Sequence, residues 1–196
     1  MKLESKKCAI SEGKRLGIHD TSKKLCLIIG SSSNFLEDYN NFKNDNLDIH
    51  FDTITINKSI LYIKKVDHWI SCHPGDICKF NINQTRLDKG WNNEYKTHSL
   101  DRYVRAERMQ NFIDYSWRLS GRMNGSSSLV AVYFAMGMDY NGVITCGIEL
   151  TEKYLKYRDA WILFDSIYPN FIRSQSGFLE TWLGRPIKDW IEGKLL

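Results

Sequence analysis

The sequence predicts a three-layer α/β domain with a mainly parallel sheet, and three observations support this fold class. Short, uninterrupted apolar runs alternate along the chain with longer segments whose apolar residues recur at helical spacing. Glycine or a cluster of turn-forming residues follows the clearest of these runs, as expected where a buried strand ends. With 42% hydrophobic residues among 196, the chain is also large enough to bury a core.

Strands and helices are predicted to alternate through the first third of the chain. Residues 24–29 are a short apolar run that fits a strand buried on both faces, and residues 34–42 carry apolar side chains at helical spacing. Residues 50–57 are rich in β-branched side chains, which favours a second strand. After one helical turn over residues 59–64, a third strand is predicted over residues 66–72, where a His-Pro-Gly sequence follows.

The rest of the chain carries both weak and strong patterns. Residues 80–98 are polar, which predicts a long surface loop or an insertion, and residues 100–119 are predicted to be helical. Residues 126–138 have a broad apolar face that predicts the longest apolar helix, and residues 143–146 form a fourth strand. The remaining predicted elements are a helix over 152–165, a short strand over 170–173 and helical pieces over 176–183 and 186–191.

The first 23 residues differ in character from the rest. They are polar and rich in Lys and Ser, so residues 1–23 are predicted to form a loose, partly disordered basic leader before a single domain over residues 24–196. No apolar run approaches the ~20 residues that a membrane-spanning helix needs. The five cysteines are odd in number and include no Cys-x-x-Cys pair, which indicates reduced thiols and a cytoplasmic location, in a cell or an infected host cell.

The tetrapeptide Gly-Ser-Ser-Ser occurs twice, each time where a helix is predicted to begin. The two copies are Gly30, Ser31, Ser32, Ser33 and Gly125, Ser126, Ser127, Ser128. Helix N-termini offer unpaired N–H groups to anions, and ligands of open α/β sheets bind beyond the carboxyl ends of the strands. Both copies are therefore predicted to hold phosphate in one crevice, which the small positive net charge of +4 suits. Helix capping alone is the alternative explanation for these serines, since neither a Gly-x-Gly-x-x-Gly nor a Walker lysine loop is present.

Other candidate site residues lie near the predicted strand ends. Arg122 and Arg173 are predicted to contact phosphate, with a solvated basic face as the alternative. His73 follows the third strand and is the candidate general base, with a turn histidine before Pro74 as the alternative. Glu149 follows the fourth strand, where a ribose hydroxyl or a metal ion is a suitable partner. No metal site is predicted, because the spacing of His68 and His73 matches no established zinc pattern.

Two further patterns have structural explanations that compete with functional ones. His98 is interpreted as a solvated loop histidine, with an acceptor-side base as the alternative. Tyr154, Tyr157, Trp161 and Phe164 recur at helical spacing and are interpreted as one packed core face, with base stacking as the alternative.

The order of these motifs along the chain is informative. A strand with Gly-Ser-Ser-Ser comes first, then a strand ending in Asn57, then Val-Asp-His-Trp-Ile over residues 66–70, the second Gly-Ser-Ser-Ser, and Gly-Val-Ile-Thr-Cys-Gly-Ile-Glu over residues 142–149. This order resembles bacterial sialyltransferase-like domains and the related motility-accessory-factor and pterin-pyrophosphokinase-like domains. The closing stretch, residues 173–186, also resembles small phage-borne proteins of this type. The resemblance implies a Rossmann-like fold in which both Gly-Ser-Ser-Ser segments, Asn57 and the Gly-hydrophobic-acid ending surround a nucleotide.

The leading hypothesis is a nucleotide-binding transferase, glycosyltransferase-like, that uses an activated nucleotide-sugar donor. Asn57 contacts the ribose or base, Arg122 or Arg173 offsets charge on the leaving nucleotide, and His73 is the base for the acceptor hydroxyl. The alternatives are a non-catalytic nucleotide or signalling-molecule binding protein of phage type, and a pyrophosphokinase-like enzyme, which would need Mg²⁺. No cofactor is certain from the sequence. The acceptor (glycan, protein or DNA) and the oligomeric state, including a homo-oligomer, are left open.

Overall fold

The computed structural model describes residues 25–78, 81–119 and 126–194. Its strands are β1 (Leu25–Ile29), β2 (Asp52–Ile56), β3 (His68–Ile70), β4 (Lys96–Leu100), β5 (Tyr115–Trp117), β6 (Gly142–Cys146) and β7 (Ile172–Ser174). They form one seven-stranded sheet in the order β5-β4-β3-β2-β1-β6-β7, and every neighbouring pair is parallel. The predicted α/β fold class with a parallel sheet is therefore confirmed.

Helices cover both faces of this sheet. They are α1 (Phe35–Asp45), α2 (Pro74–Cys78), α3 (Ile82–Asp88), α4 (Asp101–Ala106), α5 (Ser127–Gly137), α6 (Arg158–Ile167), α7 (Gly177–Leu183) and α8 (Lys188–Ile191), with 3₁₀ segments at Asn57–Leu61 and Glu152–Tyr157. Neighbouring residues of β1 enter different cores because successive strand side chains point to opposite faces. Ile28 packs in the cluster that contains Val132 of α5, whereas Ile29 packs in the cluster bordered by Phe35 of α1.

The strand order places a crevice beside β1. From β1 the chain builds the sheet outward to β5, then returns to the other side of β1 for β6 and β7. Such a reversal is the topological switch point at which open α/β sheets bind ligands. Ile29 of β1 pairs with Cys146 of β6, so the loops that follow these two strands meet at the carboxyl edge of the sheet.

The prediction for residues 80–119 is wrong in two places. The segment predicted as a long loop contains α3 and β4, and the segment predicted as one helix contains α4 and β5. β4 has the polar sequence Lys-Thr-His-Ser-Leu, yet its last four residues are buried. Their polar groups find partners inside the protein; for example, the Ser99 hydroxyl donates to the Ser71 carbonyl at 2.6 Å. The helical path ends after α4, where Arg108 takes a positive φ of 55°.

The predicted leader, residues 1–23, lies outside the described residues. Within residues 25–78, 81–119 and 126–194, no helix is long and apolar enough to cross a membrane.

Candidate functional site

A cleft of about 330 Å³ opens at the carboxyl edge of the sheet, where β1, β2 and β6 end and α5 begins. The predicted site residues that line it are Gly30, Ser31, Ser32, Asn57, His73, Ser126, Ser127, Ser128 and Glu149. Both Gly-Ser-Ser-Ser segments thus contribute to one cavity. The ligand contacts assigned to these residues stay predictions.

Glycines allow the two loops of the first wall to approach each other closely. The Gly30 N–H donates to the Cys146 carbonyl at 2.9 Å, and the Ser32 N–H donates to the Gly147 carbonyl at 3.2 Å. A Cβ atom on Gly30 would lie 2.3 Å from the Gly147 carbonyl oxygen. The loop after β1 therefore contacts the loop after β6 directly, and the backbone hydrogen bonds between them fix the position of one loop relative to the other.

A buried carboxylate on α1, that of Asp38, also holds this wall of the cleft in place. Asp38 Oδ2 accepts a hydrogen bond from the Gly147 N–H at 2.8 Å and another from the Ser176 hydroxyl at 2.5 Å. Asp38 is 8% exposed. Sequence reasoning missed this residue, because an acid in the first turn of a helix is already explained by the helix dipole.

Asn57 forms the second wall in a left-handed backbone conformation with φ of 53°. Its carbonyl accepts from the Trp69 indole at 2.8 Å, and its side-chain oxygen accepts from the Ser71 hydroxyl at 2.9 Å. Ser71 Oγ in turn accepts from the His73 N–H at 3.0 Å. These bonds orient the Asn57 side chain, whose amide nitrogen has no acceptor among the described residues and can donate to a ligand.

The start of α5 supplies the third wall. Ser126 is the N-cap residue by position, but its side chain makes no capping hydrogen bond. Its hydroxyl is instead 2.5 Å from the hydroxyl of Ser128. Among the described residues, the N-cap side chain therefore leaves the first N–H groups of this 11-residue helix uncapped, and the plain capping explanation of the second Gly-Ser-Ser-Ser segment is weakened.

Two buried polar atoms of the lining lack protein partners. Glu149 Oε1 and Ser32 Oγ are each inaccessible, and neither has a hydrogen-bond partner among the residues that the structure describes. Buried polar groups normally have partners, because an unpaired one costs about 1–3 kcal/mol. Both residues line the cleft, so the two unpartnered atoms belong to its wall.

Tyr154 and Tyr157 also line the cleft and were not predicted as site residues. The predicted core face made of Tyr154, Tyr157, Trp161 and Phe164 divides in two. Trp161 and Phe164 are buried, whereas Tyr154 is 43% exposed. The 3₁₀ turn before α6 causes this division, since its tighter winding breaks the helical spacing on which the prediction depended. The two tyrosine rings stack with centroids 6.3 Å apart.

His73 lies at the rim of the cleft with its side chain 58% exposed. Its ring packs 4.9 Å from the ring of Tyr103, and its Nδ1 is 3.7 Å from Glu107 Oε1. A carboxylate near Nδ1 favours a proton on that nitrogen, which leaves Nε2 as the atom able to accept a proton.

Two predicted residues that the structure describes, Arg173 and Ser33, do not line the cleft. Arg173 lies in β7, where its guanidinium donates to the Ile172 carbonyl and to Asn170 Oδ1 and lies 5.2 Å from the ring of Trp190. These contacts account for its side chain without phosphate. Ser33 is exposed, and its hydroxyl bonds to the neighbouring Asn34. Arg122 and Gly125 lie outside the described residues.

His68 belongs to a buried chain of polar contacts rather than to a metal site. His68 Nδ1 is 2.9 Å from His98 Nε2, and His98 Nδ1 accepts from the Trp117 indole at 3.0 Å. His98 is therefore neither a loop histidine nor an exposed base. Within the described ranges, no group of three or more His, Cys, Asp or Glu residues is arranged to hold a metal ion.

Comparisons with known proteins bear on the fold. No protein-family model matches the sequence, and no curated protein matches it. The structure is similar to that of the sialyltransferase CstII from Campylobacter jejuni in complex with a substrate analogue, cytidine-5'-monophosphate. The TM-score is 0.58, the match covers 84% of this chain and 88% of that chain, and 11% of the residues are identical. This similarity supports the sialyltransferase-like part of the resemblance, whereas the motility-accessory-factor and pterin-pyrophosphokinase-like parts stay predictions. The chain thus has a sialyltransferase-like, Rossmann-like α/β fold of the kind found in a glycosyltransferase.

Proposed function

We propose that the protein is a glycosyltransferase that takes a sugar from a nucleotide-sugar donor bound in the cleft. The observation that carries this proposal is the convergence of both Gly-Ser-Ser-Ser segments at the switch point of a sialyltransferase-like fold. Open α/β sheets bind nucleotides at this place. The neighbouring structure was solved with a cytidine nucleotide, which makes cytidine nucleotides the first donors to examine.

The lining suits the separate parts of a nucleotide. The uncapped N-terminus of α5 and the serine hydroxyls around it hold the phosphate by N–H and O–H donation. The free amide of Asn57 donates to the base or ribose. Glu149 Oε1 accepts from a ribose hydroxyl or from an amino group of the base, which gives this buried oxygen a partner.

The transfer step follows from the groups at the rim. The acceptor hydroxyl oxygen attacks the anomeric carbon of the donor sugar, and the bond from that carbon to the phosphate oxygen breaks. The electron pair leaves with the nucleotide phosphate, whose charge is stabilised by the N-terminus of α5 and by Arg122. His73 takes the proton of the acceptor hydroxyl. This scheme needs no metal ion, and Mg²⁺ remains a variable of the experiment.

The test is a thermal-shift screen of the purified protein against nucleoside mono-, di- and triphosphates and nucleotide sugars, with and without Mg²⁺. A ligand present at ~100 times its dissociation constant stabilises the folded state by about 2.7 kcal/mol. We expect a selective shift with one nucleotide family, and breakdown of the matching nucleotide sugar by mass spectrometry. A selective shift without breakdown under any acceptor would instead identify a nucleotide-sequestering protein, and no shift at all would refute nucleotide binding.

A further inference from the structure

A second pocket, of about 250 Å³, lies at the carboxyl ends of β4 and β5, outside the nucleotide cleft. Its floor is apolar and includes Leu100, Trp117 and Val130, each of which is at least 94% buried. Such a floor suits the apolar face of a ring better than it suits a fully hydrated ion. No step proposed above for the donor nucleotide uses this pocket.

The rim of this pocket carries excess positive charge. Three guanidinium groups line it, those of Arg102, Arg105 and Arg118, together with the single carboxylate of Asp101. Arg105 and Arg118 each donate to Asp101 Oδ2 at 2.8 Å. Because each guanidinium has five N–H donors, this one oxygen leaves most of them free for another acceptor. The side chains of Arg105 and Arg118 are 63% and 60% exposed, so a ligand can reach them.

Contacts join this pocket to the histidine of the nucleotide cleft. The Arg102 guanidinium lies 4.7 Å from the ring centroid of Tyr103, and the Tyr103 ring lies 4.9 Å from the ring of His73. Val130 of the floor also lies on α5, two residues after Ser128 of the cleft. A molecule that extends from the pocket towards Tyr103 therefore approaches the group to which we assign the acceptor proton.

We propose that this arginine-rimmed pocket is the acceptor subsite, and that the acceptor carries an anionic group, a carboxylate or a phosphate ester, beside a sugar ring. This inference rests on the proposed transferase function. Arg105 and Arg118 bind the anion through charge-assisted hydrogen bonds. The ring packs on the apolar floor, and the acceptor hydroxyl faces His73. A neutral sugar would form no charge-assisted hydrogen bond with these guanidinium groups and would bind more weakly.

The experiment compares three sugars that share one ring: glucose, glucuronate and glucose 6-phosphate. Their affinities are measured by ligand-observed NMR on the full chain, with and without a saturating amount of the nucleotide that the protein binds. We expect at least one anionic sugar to bind about tenfold more tightly than glucose, with or without nucleotide, and to weaken as salt rises because the rim is exposed. The preferred anion distinguishes carboxylate from phosphate.

Arg118→Gln provides the matched variant, and Arg185→Gln provides its control. Arg185 is a similarly exposed arginine that pairs with Glu180 elsewhere on the surface. We expect Arg118→Gln to lower the affinity for the anionic sugar about tenfold while nucleotide affinity stays unchanged, and Arg185→Gln to alter neither. Both variants should keep the wild-type unfolding midpoint, because exposed ion pairs contribute little to stability.

The outcomes separate this inference from the proposed function. Equal affinity for all three sugars, no effect of Arg118→Gln, or displacement of the anionic sugar by nucleotide would overturn the subsite while nucleotide binding stands. An anion preference in a protein that binds no nucleotide would overturn the acceptor role together with the transferase.

Discussion

At the scale of single residues, Gly147 constrains the geometry of the cleft most directly. Its φ is +66°, and a Cβ atom built on it would lie 2.2 Å from Cβ of Phe35. Its carbonyl and its N–H bond to Ser32 and Asp38 on the other side of the cleft wall. Any side chain at this position therefore both strains the backbone and separates the loops after β1 and β6.

We expect Gly147→Ala to lower the free energy of unfolding by about 2–4 kcal/mol, from backbone strain plus steric overlap. Gly90→Ala is the matched control, because Gly90 has a φ of +69° but has free space around it. Apart from its chain neighbours, no heavy atom of the described residues lies within 4 Å of a Cβ built on Gly90. That control should lose only about 1–2 kcal/mol, the cost of the backbone conformation alone. Urea denaturation measures both. Equal losses would show that the close approach at Gly147 does not constrain the fold.

His98 is a second residue whose surroundings determine its chemistry. It is 1% exposed, and its ring contacts His68, Trp117 and Tyr115. Burial, with a smaller contribution from the nearby His68, lowers the pKa of His98 from 6.5 to about 3. The folded protein therefore keeps this ring neutral under conditions in which an unfolded chain would protonate it.

The pH dependence of stability follows from this difference in pKa. Between the unfolded pKa of 6.5 and the folded pKa of about 3, the unfolded state binds more protons, so stability falls as the pH falls. We expect His98 to contribute a loss of about 1.5–2 kcal/mol between pH 6.5 and pH 5. Urea denaturation at several pH values, for the wild type and for His98→Gln, measures this loss. If the variant does not fold, NMR titration of His98 is the direct measurement. Protonation of the folded-state ring near pH 6.5 would contradict the account.

At the scale of secondary-structure elements, Arg86 of α3 holds the segment that follows β2. Its guanidinium donates to the carbonyls of Ile60, Ile63, Lys64 and Asn92. The side chain is fully buried and pairs with no carboxylate in the part of the chain that the structure describes, and burial lowers its pKa from the usual value. This one side chain thus donates hydrogen bonds to three backbone carbonyls of the segment that begins at Asn57. Asn57 itself forms one wall of the cleft.

Removal of Arg86 should destabilise the protein strongly. We expect Arg86→Ala to lower the free energy of unfolding by about 3 kcal/mol or more, since several buried carbonyls lose their donor. Arg185→Ala should change it by less than about 1 kcal/mol, because that arginine forms an exposed pair. Chemical denaturation of both variants provides the measurement. A small effect of Arg86→Ala would mean that water or a rearranged segment replaces the guanidinium.

The elements that sequence patterns missed are those whose polar residues are satisfied by distant partners. β1 and β6 consist of apolar residues, so their burial is visible in the sequence. β4 instead buries a Thr, a His and a Ser whose partners lie 15 to 30 positions away along the chain. Local periodicity cannot reveal such pairings. The same reason explains why Asp38, which bonds to Gly147 and Ser176 across more than 100 positions, was not predicted as part of the site.

At the scale of the whole molecule, the alternation of strands and helices was sufficient to predict the fold class. It did not determine the strand order, which sets the switch point between β2, β1 and β6. The sequence did indicate where the crevice lies, because both Gly-Ser-Ser-Ser segments lie near helix starts at the carboxyl edge of the sheet. Tyr154, Tyr157 and the arginine-rimmed pocket could not be predicted, since their surroundings depend on how the 3₁₀ turn and β5 pack.

The central claim is that the two Gly-Ser-Ser-Ser segments form one phosphate-binding cleft. The most direct test is to measure the nucleotide affinity of the Ser127→Asp variant. An added carboxylate at the start of α5 suits the helix dipole, so the fold should be kept, while it repels a bound phosphate. Ser33→Asp is the matched control, because Ser33 belongs to the first segment but does not line the cleft. By isothermal titration with the nucleotide selected in the screen, we predict at least a tenfold loss of affinity for Ser127→Asp and less than a twofold change for Ser33→Asp. Equal affinities for the wild type and Ser127→Asp would contradict the account.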